Sequence, residues 1–305
     1  MAFTAKDVQA LRERTGCGMM DCKKALTEAN GDMEKAVEVL REKGLAAAAK
    51  KAGRIASEGV VLADVEDGIG IIIEVNAETD FVAKNEKFQE FVKNTATVVR
   101  TQNPADVEAL LDLKYDDKFT VGEELRDKIL TIGENMSIRR FERIEGAVVS
   151  YVHGGGRIGV LVQFETDGET AKNQLFEEIG KDVAMQIAAL NPAYLSRETV
   201  PSEVIEKEKE ILMAQIKNDP KMANKPDQIV AKMVEGRIGK FYENNCLVDQ
   251  PFVKDGSLTV AQYVASKAKE IGKDISIIKF IRFERGEGMQ KKEENFAEEI
   301  AKIVK

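Results

Sequence analysis

Histidine occurs once in these 305 residues, cysteine three times and tryptophan not at all. The lone His153 lies in a glycine-rich turn with no recognisable nucleophile beside it in sequence, so a histidine-based triad has no support. Cys17, Cys22 and Cys246 form neither an even set nor a CxxC pair, and with a single histidine they leave no zinc constellation. The three thiols are expected to be small buried or half-buried side chains in a reducing compartment. Long apolar runs are missing too, since none approaches the roughly 20 residues needed to span a bilayer. Met1 to Asp7 runs straight into a helical pattern without an apolar or Arg-rich leader, which reads as cytoplasmic. Positive charge is in deficit, 45 Lys and Arg against 53 Asp and Glu, for a net charge of -8. General nucleic-acid binding is therefore disfavoured unless a local basic face compensates. The one basic cluster, Lys50, Lys51 and Arg54, has no interleaved aromatic residue to stack on bases. Gly236-Arg237-Ile238-Gly239-Lys240 lacks the spacing of a P-loop, and Gly154-Gly155-Gly156 sits between two strands and not at a strand-to-helix turn. Carboxylate pairs on the helical faces read as solvated charge. No catalytic residue, cofactor or metal site is expected.

What is present is a soluble, helix-rich composition, 43% hydrophobic and 32% charged, in a chain long enough to bury more than one core. The first module is residues 1–44. Thr4 and Asp7 resemble a capping box and open a helix with Val8 and Leu11 on its apolar face. Gly16 and Gly18 bracket Cys17 in a tight turn. A second helix follows from Met20 to Ala29, then a third with Met33, Ala36, Val37 and Leu40 inward, closed by Gly44. Met19 and Met20 allow two readings, packing in the small core or a flexible thioether contact with a partner. Only one of the pair can point fully inward. Residues 45–57 hold too little apolar surface to anchor a helix and read as a semi-ordered linker.

The middle of the chain is duplicated. Gly59 to Val65, Ile69 to Ile73, Glu78-Thr79-Asp80 and Ala83-Lys84-Asn85 are echoed by Gly146 to Val152, Ile158 to Val162, Glu165-Thr166-Asp167 and Ala171-Lys172-Asn173. Arg140-Phe141-Glu142-Arg143 recurs as Arg282-Phe283-Glu284-Arg285. Each copy reads as hairpin, helix, insert and returning strand, with turns at Glu66-Asp67-Gly68 and His153 to Gly156. The strands need cover on one face, from Phe88, Phe91, Val92 and Val98 in one copy and from Phe176, Ile179, Val183 and Ile187 in the other. The first insert starts a short helix at Asn103-Pro104 and caps another at Thr120. The second holds two charged helices with narrow apolar stripes, a helical hairpin over 202–244. Thr259 caps a helix to Ile271, Ile275 to Arg285 forms the returning strand, and Lys291 to Ile303 reads as a last amphipathic helix. The expected architecture is α+β, with core subdomains at 58–145 and 146–288 and a C-terminal helical module at 289–305.

The joint between strand and helix at Thr79-Asp80-Phe81-Val82 carries a phenylalanine where caps and turns are usual. Thr79 or Asp80 can cap the helix, with Phe81 folded back as a hydrophobic staple. The second copy has Gly168 in the matching place, so the fold tolerates glycine there and Phe81 is open to another use. Thr79-Asp80-Phe81-Val82-Ala83-Lys84-Asn85 resembles the signature loop of the translation elongation factor Ts family, and Arg14 to Leu26 resembles that family's N-terminal signature. Ile132-Gly133-Glu134-Asn135, Met233 to Arg237 and Gln250-Pro251-Phe252-Val253 follow in the family's order. The resemblance implies a non-enzymatic guanine nucleotide exchange factor that binds the GTPase elongation factor Tu with GDP and releases the nucleotide. It implies that Thr79 to Val82, led by Asp80 and Phe81, disturb the partner's magnesium site. Met19, Met20 and the C-terminal helix would grip the GTPase domain, and the turn at His153 would hold a distal domain. The order and turn chemistry of the first three helices also resemble a ubiquitin-associated-type bundle, the narrow stripes of the insertion suit an antiparallel coiled coil, and the sequence leaves the assembly with the partner open between 1:1 and 2:2. A reading from another class is a helical-hairpin chaperone or scaffold without exchange activity.

Overall fold

The computed structural model describes residues 3–15, 17–219 and 225–290. The turn at Gly16, the tip of the insertion and the expected helix from Lys291 to Ile303 therefore lie outside, or partly outside, the described residues.

Three helices come first, α1 (Ala5–Thr15), α2 (Met19–Glu28) and α3 (Met33–Lys51). They close on Leu11, Cys22, Ala25, Leu26, Ala36 and Leu40. Thr4 and Asp7 do form the reciprocal cap, the Thr4 amide donating to Asp7 Oδ2 at 2.6 Å and the Asp7 amide to Thr4 Oγ1 at 3.4 Å. Asp32 caps α3. Gly44 does not end α3, which continues through the alanine run to Lys51. A glycine inside a helix costs only about 1 kcal/mol against alanine, and the rest of the molecule more than offsets it. Ala48 packs on the core of the first copy, and Lys51 Nζ donates to the Ile129 carbonyl at 2.9 Å. Most of the expected linker is thus a helix laid on the body.

The first copy is β1 (Glu58–Glu66), β2 (Ile69–Ala77), α4 (Asp80–Ala83), α5 (Glu86–Gln102), α6 (Val107–Asp112), α7 (Val121–Ile132) and β3 (Met136–Glu145). The second is β4 (Ala147–His153), β5 (Ile158–Glu165), α8 (Gln174–Leu190), α9 (Ser202–Asn218), α10 (Asp227–Asn245), β6 (Pro251–Phe252), β7 (Asp255–Thr259), α11 (Val260–Ile271) and β8 (Ser276–Glu284). Each copy forms a three-stranded antiparallel sheet, in the orders β1-β2-β3 and β4-β5-β8. The caps repeat as well. Asn85 and Asn173 open α5 and α8, and Asn103 and Asn191 close them in the left-handed conformation. Thr120 and Thr259 form capping boxes on α7 and α11, which end at Gly133 and Gly272. Asn103 therefore ends a helix instead of starting one, and the short helix α6 is capped by Asp106.

The sheets are covered on both faces, not one. Ile71, Ile73 and Val75 of β2 point to α5, whereas Ile72 packs with Val61, Ile144, Val148, Leu161 and Phe283 between the two sheets. On the far side, Val160, Val162 and Phe164 meet Phe176, Ile179, Val183 and Ile187 of α8. Burial on both faces explains the unbroken apolar run from Ile69 to Ile73, which a half-exposed strand would interrupt. Close approach of the sheets depends on Gly70 and Gly159, where an added Cβ would come within 2.6 Å of Val148 and 2.5 Å of Val61.

The ladder also corrects the register of the duplication. β2 and β5 begin at Ile69 and Ile158, and both shift register five residues later, after Glu74 and after Gln163. Ile71 then corresponds to Val160, and their strand partners are Arg143 and Arg282. The returning strands thus align Arg143 with Arg282, three residues away from the alignment that the repeated Arg-Phe-Glu-Arg letters suggest. The ion pairs Arg143 to Glu145 and Arg282 to Glu284 repeat in that register. Packing decides it, because Ile144 and Phe283 are the side chains that enter the layer between the sheets.

The insertion pairs α9 with α10 through Leu212, Ile216, Val230, Val234 and Ile238. Phe241, expected in that stripe, is replaced by Tyr242 at its edge. Among the described residues no helix is long and apolar enough to cross a membrane.

Candidate functional site

The strand β2 ends at Ala77, and the chain turns into the four-residue helix α4 before α5 begins. So short a helix cannot hold itself together, since nucleation alone is unfavourable. Its stability comes from its surroundings. Thr79 caps it, the hydroxyl accepting from the Val82 amide at 3.4 Å. The Glu134 carboxylate, just past the end of α7, accepts from the Thr79 amide at 3.0 Å and from the Thr79 hydroxyl at 2.7 Å. In return the Asn135 amide donates to Glu78 Oε1 at 2.6 Å, and Arg54 reaches the same oxygen at 3.3 Å. Asn135 Nδ2 donates to the Arg54 carbonyl at 2.9 Å. The two segments thus hold each other through a carboxylate on each side. Val82 and Ala83 point inward, and Gln89 of α5 donates to the Ala83 carbonyl.

With its neighbours fixed in this way, Phe81 points out. It is 80% exposed, the highest value among the exposed large hydrophobic residues that the structure describes. The capping half of the sequence reading holds, and the staple half does not. Asp80 beside it pairs with Lys84 at 2.9 Å, and that hydrogen bond holds its carboxyl below the usual range. Arg285, from the end of the second copy, acts on it in the same direction. In the second copy Asp167 does the capping, accepting from the Glu169 and Thr170 amides, and Gly168 next to it has open space around it.

Met19 and Met20 begin α2, and both are exposed, at 45% and 61%. Neither fills the bundle core, which Cys22, Ala25 and Leu26 occupy from the same helix. Of the two readings open for the pair, packing in the small core is therefore not the one the structure shows. His153 ends β4 on the surface, its Nδ1 lying 3.0 Å from the Tyr151 hydroxyl. The turn that follows it shares a groove with the loop's neighbourhood, where Gln89, Lys93 and Thr97 of α5 face Val152, Gly155 and Gly156. Thr79 to Val82 are therefore one braced unit, while Met19 and Met20 belong to the first three helices and His153 to the second copy. The cysteines are buried, and burial pushes the thiols of Cys17 and Cys246 up to about 11. Among the described residues no group of three or more His, Cys, Asp or Glu side chains is arranged to hold a metal ion.

Two features escaped the sequence reading. Glu134 and Asn135 stand out in sequence only as part of a motif, with nothing to say that they grip Glu78 and Thr79. Glu74 is a carboxylate in the middle of a buried strand and is itself fully buried. Its signal was the single charge set between the apolar residues Ile73 and Val75.

The fold and the site define a class of α+β proteins built on a duplicated three-stranded sheet, with a short loop that is braced by hydrogen bonds and leaves a phenylalanine exposed. The comparisons with known proteins specify that class. The family model described as Elongation factor TS matches residues 78–287. Curated relatives named Elongation factor Ts are 57% identical over 306 residues in Clostridium perfringens, covering 99% of each chain, and 54% identical over 309 residues in Clostridium kluyveri, again covering 99% of each. A further relative of that name in Clostridium botulinum is 53% identical over 305 residues, with 98% of each chain covered. The chain belongs to the elongation factor Ts family.

Proposed function

We propose that this protein is a guanine nucleotide exchange factor for the GTPase elongation factor Tu, acting without making or breaking a covalent bond. The observation that carries the reading is the exposed Phe81 on a loop held from behind by Glu134. GDP and magnesium favour one arrangement of a GTPase. A factor that prefers the empty arrangement weakens nucleotide binding by the same factor that nucleotide weakens its own. Phe81 supplies apolar surface for insertion beside the partner's magnesium site, and Asp80 supplies a carboxylate paired with Lys84. The loop can push because its own hydrogen bonds are already satisfied and little ordering cost remains to be met on binding.

Met19 and Met20 provide the adaptable thioether contacts of a ubiquitin-associated-like gripping module over residues 1–44. The second copy, with His153 at its turn, holds a distal domain of the partner so that the loop has something to push against. The helices α9 and α10 form a coiled-coil-like projection from the body, set within 146–288. The factor itself needs no bound metal or nucleotide, and it works in the cytoplasm. The test is release of fluorescent GDP from purified elongation factor Tu. Acceleration by catalytic amounts of this protein supports the reading, and an unchanged release rate refutes it.

A further inference from the structure

Glu74 is fully buried, yet five donor contacts surround its two oxygens. Oε1 accepts from Asn76 Nδ2 at 3.1 Å, Arg139 Nη1 at 3.0 Å and the Gly286 amide at 2.8 Å, while Oε2 accepts from Arg140 Nε at 2.7 Å and Arg139 Nη1 at 3.2 Å. The Gly286 amide is the informative partner, because it comes from the far end of the second copy, just beyond β8. The same short segment grips the first copy at further points. Arg139 donates to the Glu287 carbonyl, and Arg140 Nη2 reaches Glu287 Oε2 at 3.2 Å. Arg285 pairs with Glu58 at 2.7 Å and donates to the Gly59 carbonyl at 3.2 Å. Gly286 takes a positive φ of 67° and lies so close to Ser57 that an added Cβ would come within 2.3 Å of its carbonyl oxygen.

Glu58 and Gly59 pair with Ala77 and Asn76, so the segment seats on the end of the hairpin from which Thr79 to Val82 depart. No such carboxylate exists at the matching place of the second copy. The residue corresponding to Glu74 is Gln163, which merely donates to the Glu145 carbonyl at 2.9 Å.

We propose that Glu74 is a positioning residue for nucleotide exchange: it latches residues 285–287 of the second copy onto the strand that carries the Phe81 loop, so that a hold on the second copy becomes a fixed placement of Phe81. This rests on the exchange reading above and adds to it the element that joins the two copies. A buried carboxylate is costly unless fully paired, and here its charge is spent on joining the loop-bearing strand to residues more than 200 positions away. The two arginines come from β3, so removing the charge loosens both β3 and the terminal segment from β2 at once.

The test uses the full chain and Glu74→Gln, with Gly286→Ala as a variant that disturbs the latch from its other side. GDP release from elongation factor Tu is measured across factor concentrations. In both variants the maximal rate is expected to fall roughly tenfold, as when a contact group is misplaced but still present, with little change in the half-saturating concentration. In a Phe81→Ala background Glu74→Gln is expected to cost about twofold or less, because both changes act through one contact. An unchanged maximal rate per folded molecule overturns the proposal, and so does the same tenfold loss in the Phe81→Ala background. Hydrogen exchange on the isolated protein provides an arm independent of the partner. Glu74→Gln is expected to speed exchange at 78–83 and 285–287 while α8 keeps its protection. Uniform acceleration, or none at 78–83, overturns the latch. If the parent chain does not accelerate GDP release, the exchange reading falls, and this arm still decides whether Glu74 sets the loop.

Discussion

Thr79 gives both its amide and its hydroxyl to the carboxylate of Glu134, 55 residues further along the chain. That pair turns a four-residue helix, too short to stand alone, into a fixed support for Phe81. Replacing Glu134 with Ala should leave two half-buried donors without their acceptor, at a cost of about 1–3 kcal/mol. Both melting temperature and exchange activity are then expected to fall. A variant that melts like the parent and exchanges normally would mean that the loop holds its shape without Glu134.

Met19 and Met20 are expected to behave as surface residues in the free protein. Replacing both with Ala should change stability by no more than about 0.5 kcal/mol for each, while raising the concentration needed for half-maximal exchange. A marked drop in melting temperature would return them to the core of the helical bundle.

Two glycines separate propensity from packing. At Gly44, inside α3, an added methyl would sit at an ordinary 3.7 Å from the Arg126 carbonyl oxygen. Gly44→Ala is therefore expected to stabilise the protein by up to about 1 kcal/mol. Gly159→Ala is expected to destabilise it by about 1–3 kcal/mol, because the methyl would press on Val61 between the sheets. Thermal melts of the two variants check both signs, and a shift in the same direction for both would contradict this account of the interior.

Acid should weaken the latch between the two copies. Burial pushes the Glu74 carboxyl up, but the hydrogen bonds from Gly286, Asn76, Arg139 and Arg140 more than offset this and hold it below its usual value. A group whose folded pKa is lowered stabilises the fold above its unfolded pKa, and the contribution is lost as pH falls through the folded value. The melting-temperature gap between parent and Glu74→Gln should be full near neutrality and shrink as pH drops below the usual glutamate range. A gap that stays constant to low pH would show that the charge of Glu74 contributes nothing.

Much of this was legible in the sequence because local chemistry set it. The caps at Thr4, Thr120 and Thr259 and the hairpin turn at Asp67-Gly68 are written in adjacent residues, and the duplication shows in repeated apolar runs. The rest depended on contacts distant in sequence. Gly44 reads as a stop, but packing of α3 on α7 carries the helix through it. Arg-Phe-Glu-Arg repeats in letters, but the ladder aligns Arg143 with Arg282, since packing between the sheets selects Ile144 and Phe283. The site was half visible. Phe81 stood out as an apolar residue at a joint, whereas Glu134 and Glu74 act on partners 55 and 212 residues away, beyond the reach of any local pattern.

The measurement that bears most directly on the central claim is GDP release from elongation factor Tu with Phe81→Ala, run beside a thermal melt. Phe81 is exposed in the free protein, so its truncation should leave the melting temperature where it was. Loss of an interface aromatic should cost about 2 kcal/mol or more, roughly thirtyfold in the catalysed rate if the whole effect falls on the exchange complex. A variant with parental melting and exchange slowed to that extent is the expected result. Parental exchange per folded molecule would contradict the account, because the one bare aromatic on the braced loop would then have no part in releasing the nucleotide.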